Sequence, residues 1–301
     1  MNRPGSHQLT VAPTRDVYCV GDVQLALECE PADLSDELSI LYRGCRQTQH
    51  EFTDDAIQVS VRRAGSRFVP RRRFTVLIDG EHAGPKRRAR ELVPAVEWAV
   101  NARVIAAHSE FLQIHAAGMV DPVGRGVLLV GPSGCGKSTL SLALLQHGWR
   151  YLCDELALIE PNLRRVHPFP KAFCIKSSGF ALLERRGIPL SGRTYAVKDG
   201  KGRVAYVNPF DLVPDAAGGP SPIRIVIFPQ HSKQMEPRIS PLSPGKAMFG
   251  LSGGVLNRSA FGQRVPGLLY DLVHGAECFS LRSGDLDKTC ELIDKALGFS
   301  R

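Results

Sequence analysis

Gly131-Pro132-Ser133-Gly134-Cys135-Gly136-Lys137-Ser138 has the spacing G-x-x-x-x-G-K-[ST]. Glycines at those positions let consecutive backbone N–H groups turn inward on phosphate oxygens, while the lysine reaches the outer phosphates and the serine hydroxyl is placed to ligate magnesium. The expected nucleotide-binding set is therefore Gly131, Pro132, Ser133, Gly134, Cys135, Gly136, Lys137, Ser138 and Thr139, with ATP and Mg2+ as the implied cofactors. Cys135 inside the loop reads as a regulatory thiol or as a tolerated small residue. A cradle of this kind serves kinases, motor ATPases, GTPases and transporters alike, so a second feature has to separate them.

That feature is the acidic pair Asp154-Glu155 at the end of the apolar run WRYLC, 17 positions after Lys137. Transporter and motor ATPases reach their acidic strand only after a substantial crossover, whereas this interval has room for the cradle helix and one strand. A carboxylate there stands near the phosphate site, where it can bind magnesium or accept a proton from an incoming hydroxyl. The run Leu251-Ser252-Gly253-Gly254, followed by Arg258, imitates the signature of ABC transporter ATPases. It trails the acids instead of preceding them and has Val255 where glutamine is usual, so it reads as a flexible loop.

These residues need elements to hold them. Gly126–Val130 is a short apolar run suited to a buried strand, and STLSLALLQ (138–146) reads as a helix that ends near Gly148. WRYLC is a further strand, VIFPQ another, and 285–297 a closing helix. Upstream, VQLALECE, AIQVSVRR and RFTVLIDG are strand-like pieces separated by Pro, Asp and Gly. The polar, basic segment HAGPKRRAREL is the expected boundary, and 93–107, apolar at helical spacing, is expected to open the second unit.

At 301 residues with 43% hydrophobic content, the chain suits one catalytic domain beside a smaller companion. It has no stretch of about 20 apolar residues and no apolar block near its start, so a cytoplasmic protein without a membrane span is expected. Its eight cysteines form no C-x-x-C pair, which points to reduced, mostly buried thiols. The net charge of +8 includes Arg71-Arg72-Arg73 and the string Lys86-Arg87-Arg88-Ala89-Arg90. Without interleaved aromatics these read as solvated surface, and no nucleic-acid partner is expected.

The text LQIHAAGMV, the cradle GPSGCGKSTLSLALLQHGW and RYLCDELALIEP together resemble the catalytic domain of the HPr kinase/phosphorylase superfamily, most closely the group called HprK-related kinase A. HPFPKAFCIKSS, KGRVAYVNP, RIVIFPQ and SGDLDKTCELIDKAL extend the likeness, which spans roughly 93–297. The resemblance implies an α/β fold: a P-loop catalytic domain of the HPr kinase C-terminal type, related to PEP carboxykinase, over 91–301, with a smaller strand-rich domain of unknown role over 1–90. It implies Lys137 on the phosphates, Ser138 on magnesium, and Asp154 as the base that takes a serine proton and as a metal neighbour. Glu155 falls where the family usually has Asp and would assist the metal. His115 sits at the family's histidine; a buried core residue and a catalytic support are both open. Lys176 and Lys201 lie in the extended stretches, as phosphate ligands or surface lysines.

Bifunctional members carry a segment E-[IV]-R-G-[LI]-G for phosphorolysis; the nearest text here, GFALLERRGIP, does not fit it. A serine kinase without phosphorylase activity is expected, acting on an HPr-like protein or a ribosomally made peptide, within a possible homo-oligomer. A small-molecule kinase and a nucleotide-gated regulatory or assembly ATPase are the rival readings.

Overall fold

A computed structural model describes residues 15–30, 33–47, 53, 55–65, 73–197, 202–231 and 236–299. Arg71, Arg72 and Lys201 lie outside them. The first sheet is built from β1 (Arg15–Val20), β2 (Val23–Cys29), β3 (Arg46–Gln47), β4 (Ile57–Ala64), β5 (Arg73–Ile78), β6 (Glu81–His82) and β7 (Arg87–Arg88). Its order is β3-β1-β2-β4-β5-β6, with β7 also on β5. Alternation explains the pairing face: Ile57, Val59 and Val61 of β4 are buried while their neighbours are not. A short helix, α1 (Asp33–Ser39), follows β2, and α2 (Ala89–Ala107) follows β7.

Within the segment expected as the boundary, Arg88 pairs with Arg73, and Arg87 with Phe74. The helix expected from 93 begins at Ala89, because the Glu91 side chain accepts from the Arg88 N–H at 3.2 Å and closes the first turn. Its apolar stripe, Leu92, Val93, Val96, Ala99, Val100 and Val104, is buried in the same core cluster as Val59, Phe74 and Val76 of the first sheet.

The second sheet uses β8 (Leu112–Ile114), β9 (Ala116–Val120), β10 (Gly126–Val130), β11 (Arg150–Cys153), β12 (Ala157–Glu160) and β13 (Arg165–His167), with α3 (Lys137–Gln146) between β10 and β11. A third, antiparallel sheet takes β14 (Phe173–Lys176), β15 (Tyr195–Ala196) and β16 (Arg203–Val207). Helices α4 (Phe180–Arg185) and α5 (Pro209–Leu212) flank those strands. The second sheet is completed by β17 (Ser221–His231), β18 (Arg238–Pro241) and β19 (Glu277–Ser283), with α6 (Pro244–Ser252), α7 (Arg258–Phe261) and α8 (Val265–His274) between the last two, and α9 (Leu286–Ala296) closing the chain. Its order is β11-β9-β10-β17-β13-β12-β8, with β19 on β17 and β18 on β19.

Every residue of β9 and β10 is buried, as central strands covered on both faces require. α3 is buried nearly all round, its Leu140, Ala143 and Leu144 clustering with Val127 and Leu129 of β10 and with Cys290 and Ile293 of α9. The first sheet's side of the molecule meets the rest through backbone bonds: Ala172 N–H donates to Leu41 at 2.8 Å. Five of the eight cysteines, Cys29, Cys45, Cys153, Cys278 and Cys290, are buried. Among the described residues no helix is long and apolar enough to cross a membrane.

The LSGG run corrects the flexible-loop expectation. Leu251 and Ser252 end α6, and the two glycines stop it. Gly254 then accepts the His115 backbone N–H at 2.7 Å, and Val255 bridges Ile114. Backbone pairing with the end of β8 and with His115 after it keeps this turn docked.

Candidate functional site

Strand direction gathers the chemistry on one edge. β9 runs antiparallel to β10, with Ala116 opposite Val130, and β11 runs antiparallel to β9. β10 and β11 therefore point the same way, and β17 and β19 run parallel with β10. Gly131, Asp154, His231 and Ser283 thus come to the carboxyl end of the sheet, joined by His115 just before β9. Open α/β sheets bind ligands at this edge.

The loop between β10 and α3 has the geometry its glycines were read to allow. Gly134 and Gly136 adopt φ of 90° and 102°, conformations that a side chain strains. No side chain caps α3, so its first N–H groups are left for an anion. Lys137 is buried, and its Nζ donates to the carbonyls of Gly131 at 2.7 Å and Pro132 at 3.3 Å. Cys135 is partly buried and donates its N–H to Pro132 at 3.3 Å. Ser133 accepts a hydrogen bond from Lys176 Nζ, which lays a second cation across the loop. The cleft is lined by Ser133, Gly134, Gly136, Lys137, Ser138 and Thr139 on the loop side, and by His115, Glu155, Lys176, His231 and Ser283 opposite.

Asp154 is fully buried, and Ser138 Oγ lies 3.0 and 2.9 Å from its two oxygens. Burial pushes this carboxyl up; the Lys171 ammonium and the Ser138 hydroxyl pull it back. Glu155 adopts φ of 72°, a left-handed turn rare for glutamate. That turn aims its carbonyl at His115, whose Nδ1 donates to it at 3.1 Å. With Nδ1 carrying the proton, Nε2 of the neutral ring is an acceptor. Burial, then the charge of Lys137, holds the His115 pKa below its ordinary value. The Glu155 carboxylate does not reach Ser138's side by a described contact; its Oε2 lies 3.9 Å from Lys171 Nζ.

Lys171 was not singled out in the sequence, nor were its companions. It is fully buried, ion-paired with Glu97 of α2, whose other oxygen accepts from Tyr206 at 2.7 Å. Burial works against a charged lysine, yet Glu97, Glu155 and Asp154 together keep the Lys171 pKa well above ordinary. The available signal was a lone acid inside the apolar helical text VPAVEWAV and a lone lysine inside PFPKAF. His231 lies just past the stretch RIVIFPQ and Ser283 opens SGDLDKTCELIDKAL, but neither was singled out; strand direction puts them at the cleft.

Comparison with known proteins gives short matches. No family model matches the chain. The chain is similar to the HPr kinase/phosphorylase of Prosthecochloris aestuarii, 43% identical over 51 residues, which are 17% of this chain and 15% of that protein. It is also similar to the HPr kinase/phosphorylase of Lactobacillus delbrueckii subsp. bulgaricus, 54% identical over 37 residues, 12% of each chain. The matched segments span less than a sixth of the length of either relative. A solved structure, the Hpr(Ser) kinase/phosphatase from Coxiella burnetii, aligns with 62% of this chain and 95% of its own at 15% identity and a TM-score of 0.30.

Proposed function

Taking the likeness to HPr kinase/phosphorylases as the premise, we propose that the chain is an ATP-dependent kinase that transfers the terminal phosphate of ATP to a serine of a protein or peptide. The observation that carries this reading is the Ser138–Asp154 contact, 2.9 Å at its shorter, between the phosphate loop and a fully buried carboxylate. A protein that only binds nucleotide has little chemical need for such an acid beyond holding the metal.

In this reading the loop 131–136 and the α3 N-terminus hold the phosphates, and Lys137 leaves its loop carbonyls to meet them. Asp154 is the base that receives the serine proton, and in-line positioning does most of the rest. His115, neutral and hydrogen-bonded to the Glu155 carbonyl, holds the acid pair's backbone turn. The Ser138 hydroxyl and the Asp154 carboxylate, in contact at 2.9 Å, are oxygen donors of the kind Mg2+ takes, and the Glu155 carboxylate on the cleft wall would assist them. When bound, that ion neutralises charge on the phosphates. Residues 1–90 are proposed as a unit that selects the substrate or mediates assembly; an HPr-like protein or a ribosomally made peptide is the proposed acceptor.

The test is label transfer from terminally labelled ATP into fractionated host extract, with wild type and Asp154→Asn side by side. A serine labelled by the wild type alone supports the kinase and names its acceptor. Label confined to small molecules would point to a metabolite kinase, and no label despite ATP binding to a nucleotide-gated module.

A further inference from the structure

The buried cluster behind the acid pair does work that the phosphate loop does not explain. Lys171, in the segment between β13 and β14, is fully buried, and the Glu97 side chain it pairs with from α2 is nearly so. Tyr206 of β16 donates to the remaining Glu97 oxygen at 2.7 Å, so Glu97 is held from two sides. The Lys171 backbone is fixed as well: its carbonyl accepts from the Tyr151 hydroxyl at 3.0 Å, and its N–H donates to Phe169 at 2.9 Å. An ammonium anchored in this way also has the Glu155 carboxylate at 3.9 Å, and its charge acts on the buried Asp154 as well. The Glu155 side chain is about a third exposed and lines the cleft, so it spans from the buried lysine to the nucleotide edge.

We propose that Lys171 is a positioning residue, which aims the Glu155 carboxylate at the cation end of the cleft and is itself set in place by Glu97. The inference rests on reading that cleft as a magnesium–nucleotide site, and it adds the group that orients its outer acid. Glu155 needs such a tether. Its longer side chain carries one more rotatable bond than aspartate, and the left-handed backbone at this position fixes only where the chain starts. Held at its far side by an ammonium, the carboxylate keeps one direction. The same tie joins the acid pair to α2, and through α2 to the first sheet.

A buried ion pair that merely staples α2 to the third sheet makes a different forecast. Removing one partner alone strands a buried charge and endangers the fold. The informative variant is therefore Lys171→Met with Glu97→Gln, which removes both charges and keeps side-chain volume. The measurement is calorimetric binding of ADP to the full chain, with and without magnesium chloride, alongside a melting curve; it needs no acceptor. In the wild type magnesium should tighten ADP binding by about tenfold, and outer-sphere orienting groups commonly govern metal affinity on that scale. Glu155→Gln should lose most of that increment. The double variant should lose it to a similar extent while its magnesium-free ADP affinity and melting temperature stay near wild type. Adding Glu155→Gln to it should change little further, because both act through one carboxylate; a further loss would show Lys171 acting through Asp154 and overturn the proposal.

A double variant that keeps the wild-type magnesium increment overturns the positioning role and leaves the staple. A larger increment shows that Lys171 competes for Glu155, which also overturns it, as does a wild type that is indifferent to magnesium. Failure of phosphate transfer by a wild type that shows the increment would overturn the kinase reading alone.

Discussion

Ser138 and Asp154 are neighbours through space: the hydroxyl lies 3.0 and 2.9 Å from the two carboxylate oxygens. Ser138 lies in the first turn of α3 and Asp154 follows β11: the helix carries the chain back across the sheet, and β11, parallel in direction to β10, returns it to the same edge. Phosphate loop and acid are thereby held by a single rigid unit.

Asp154→Asn keeps the shape of the side chain and its contact with Ser138 but cannot take a proton at neutral pH. Transfer should fall by roughly 10²–10⁴-fold, the usual worth of a positioned base, while ADP affinity changes little. Single-turnover transfer and calorimetry together check this; retained turnover would remove Asp154 from the role of base.

Gly136→Ala tests the loop itself. An added Cβ would meet His231 only at 3.6 Å, an ordinary contact, so the penalty comes from φ of 102° and not from crowding. A melting curve should show a loss of roughly 1–2 kcal/mol. Nucleotide binding should weaken in addition, since relaxing the loop turns its N–H groups away.

His115 predicts a pH dependence. Burial and Lys137 hold its folded pKa below the ordinary histidine value of 6.5. Above that value both folded and unfolded chains carry a neutral ring, and the group contributes nothing to stability. As pH falls through it, the unfolded chain takes up a proton that the folded chain resists, so stability drops. His115→Gln should flatten the melting temperature between pH 7 and the folded pKa; an unchanged slope would assign the acid sensitivity to other groups.

A kinase without reverse activity is a separate prediction. Adding inorganic phosphate to the phosphorylated acceptor should release no pyrophosphate, since no E-[IV]-R-G-[LI]-G segment occurs and the nearest text, GFALLERRGIP, contributes the helix α4. Pyrophosphate in a coupled assay would show that another segment serves phosphorolysis.

What could be read from the residues alone is local. Strand, glycine loop and helix are consecutive in the chain, and their chemistry depends on backbone angles that Gly134 and Gly136 announce by being glycine. The spacing from Lys137 to Asp154 admits one helix and one strand, which is why the acid could be assigned to the loop's own edge. The tertiary structure alone decided the rest. Glu97 and Lys171 are 74 positions apart and meet only because α2 packs against the third sheet. The orientation of Glu155 toward Lys171, and the LSGG turn docked on His115, likewise depend on partners from distant segments. A buried charge is stable only beside its counter-charge, and nothing in a linear sequence states which distant residue will provide it.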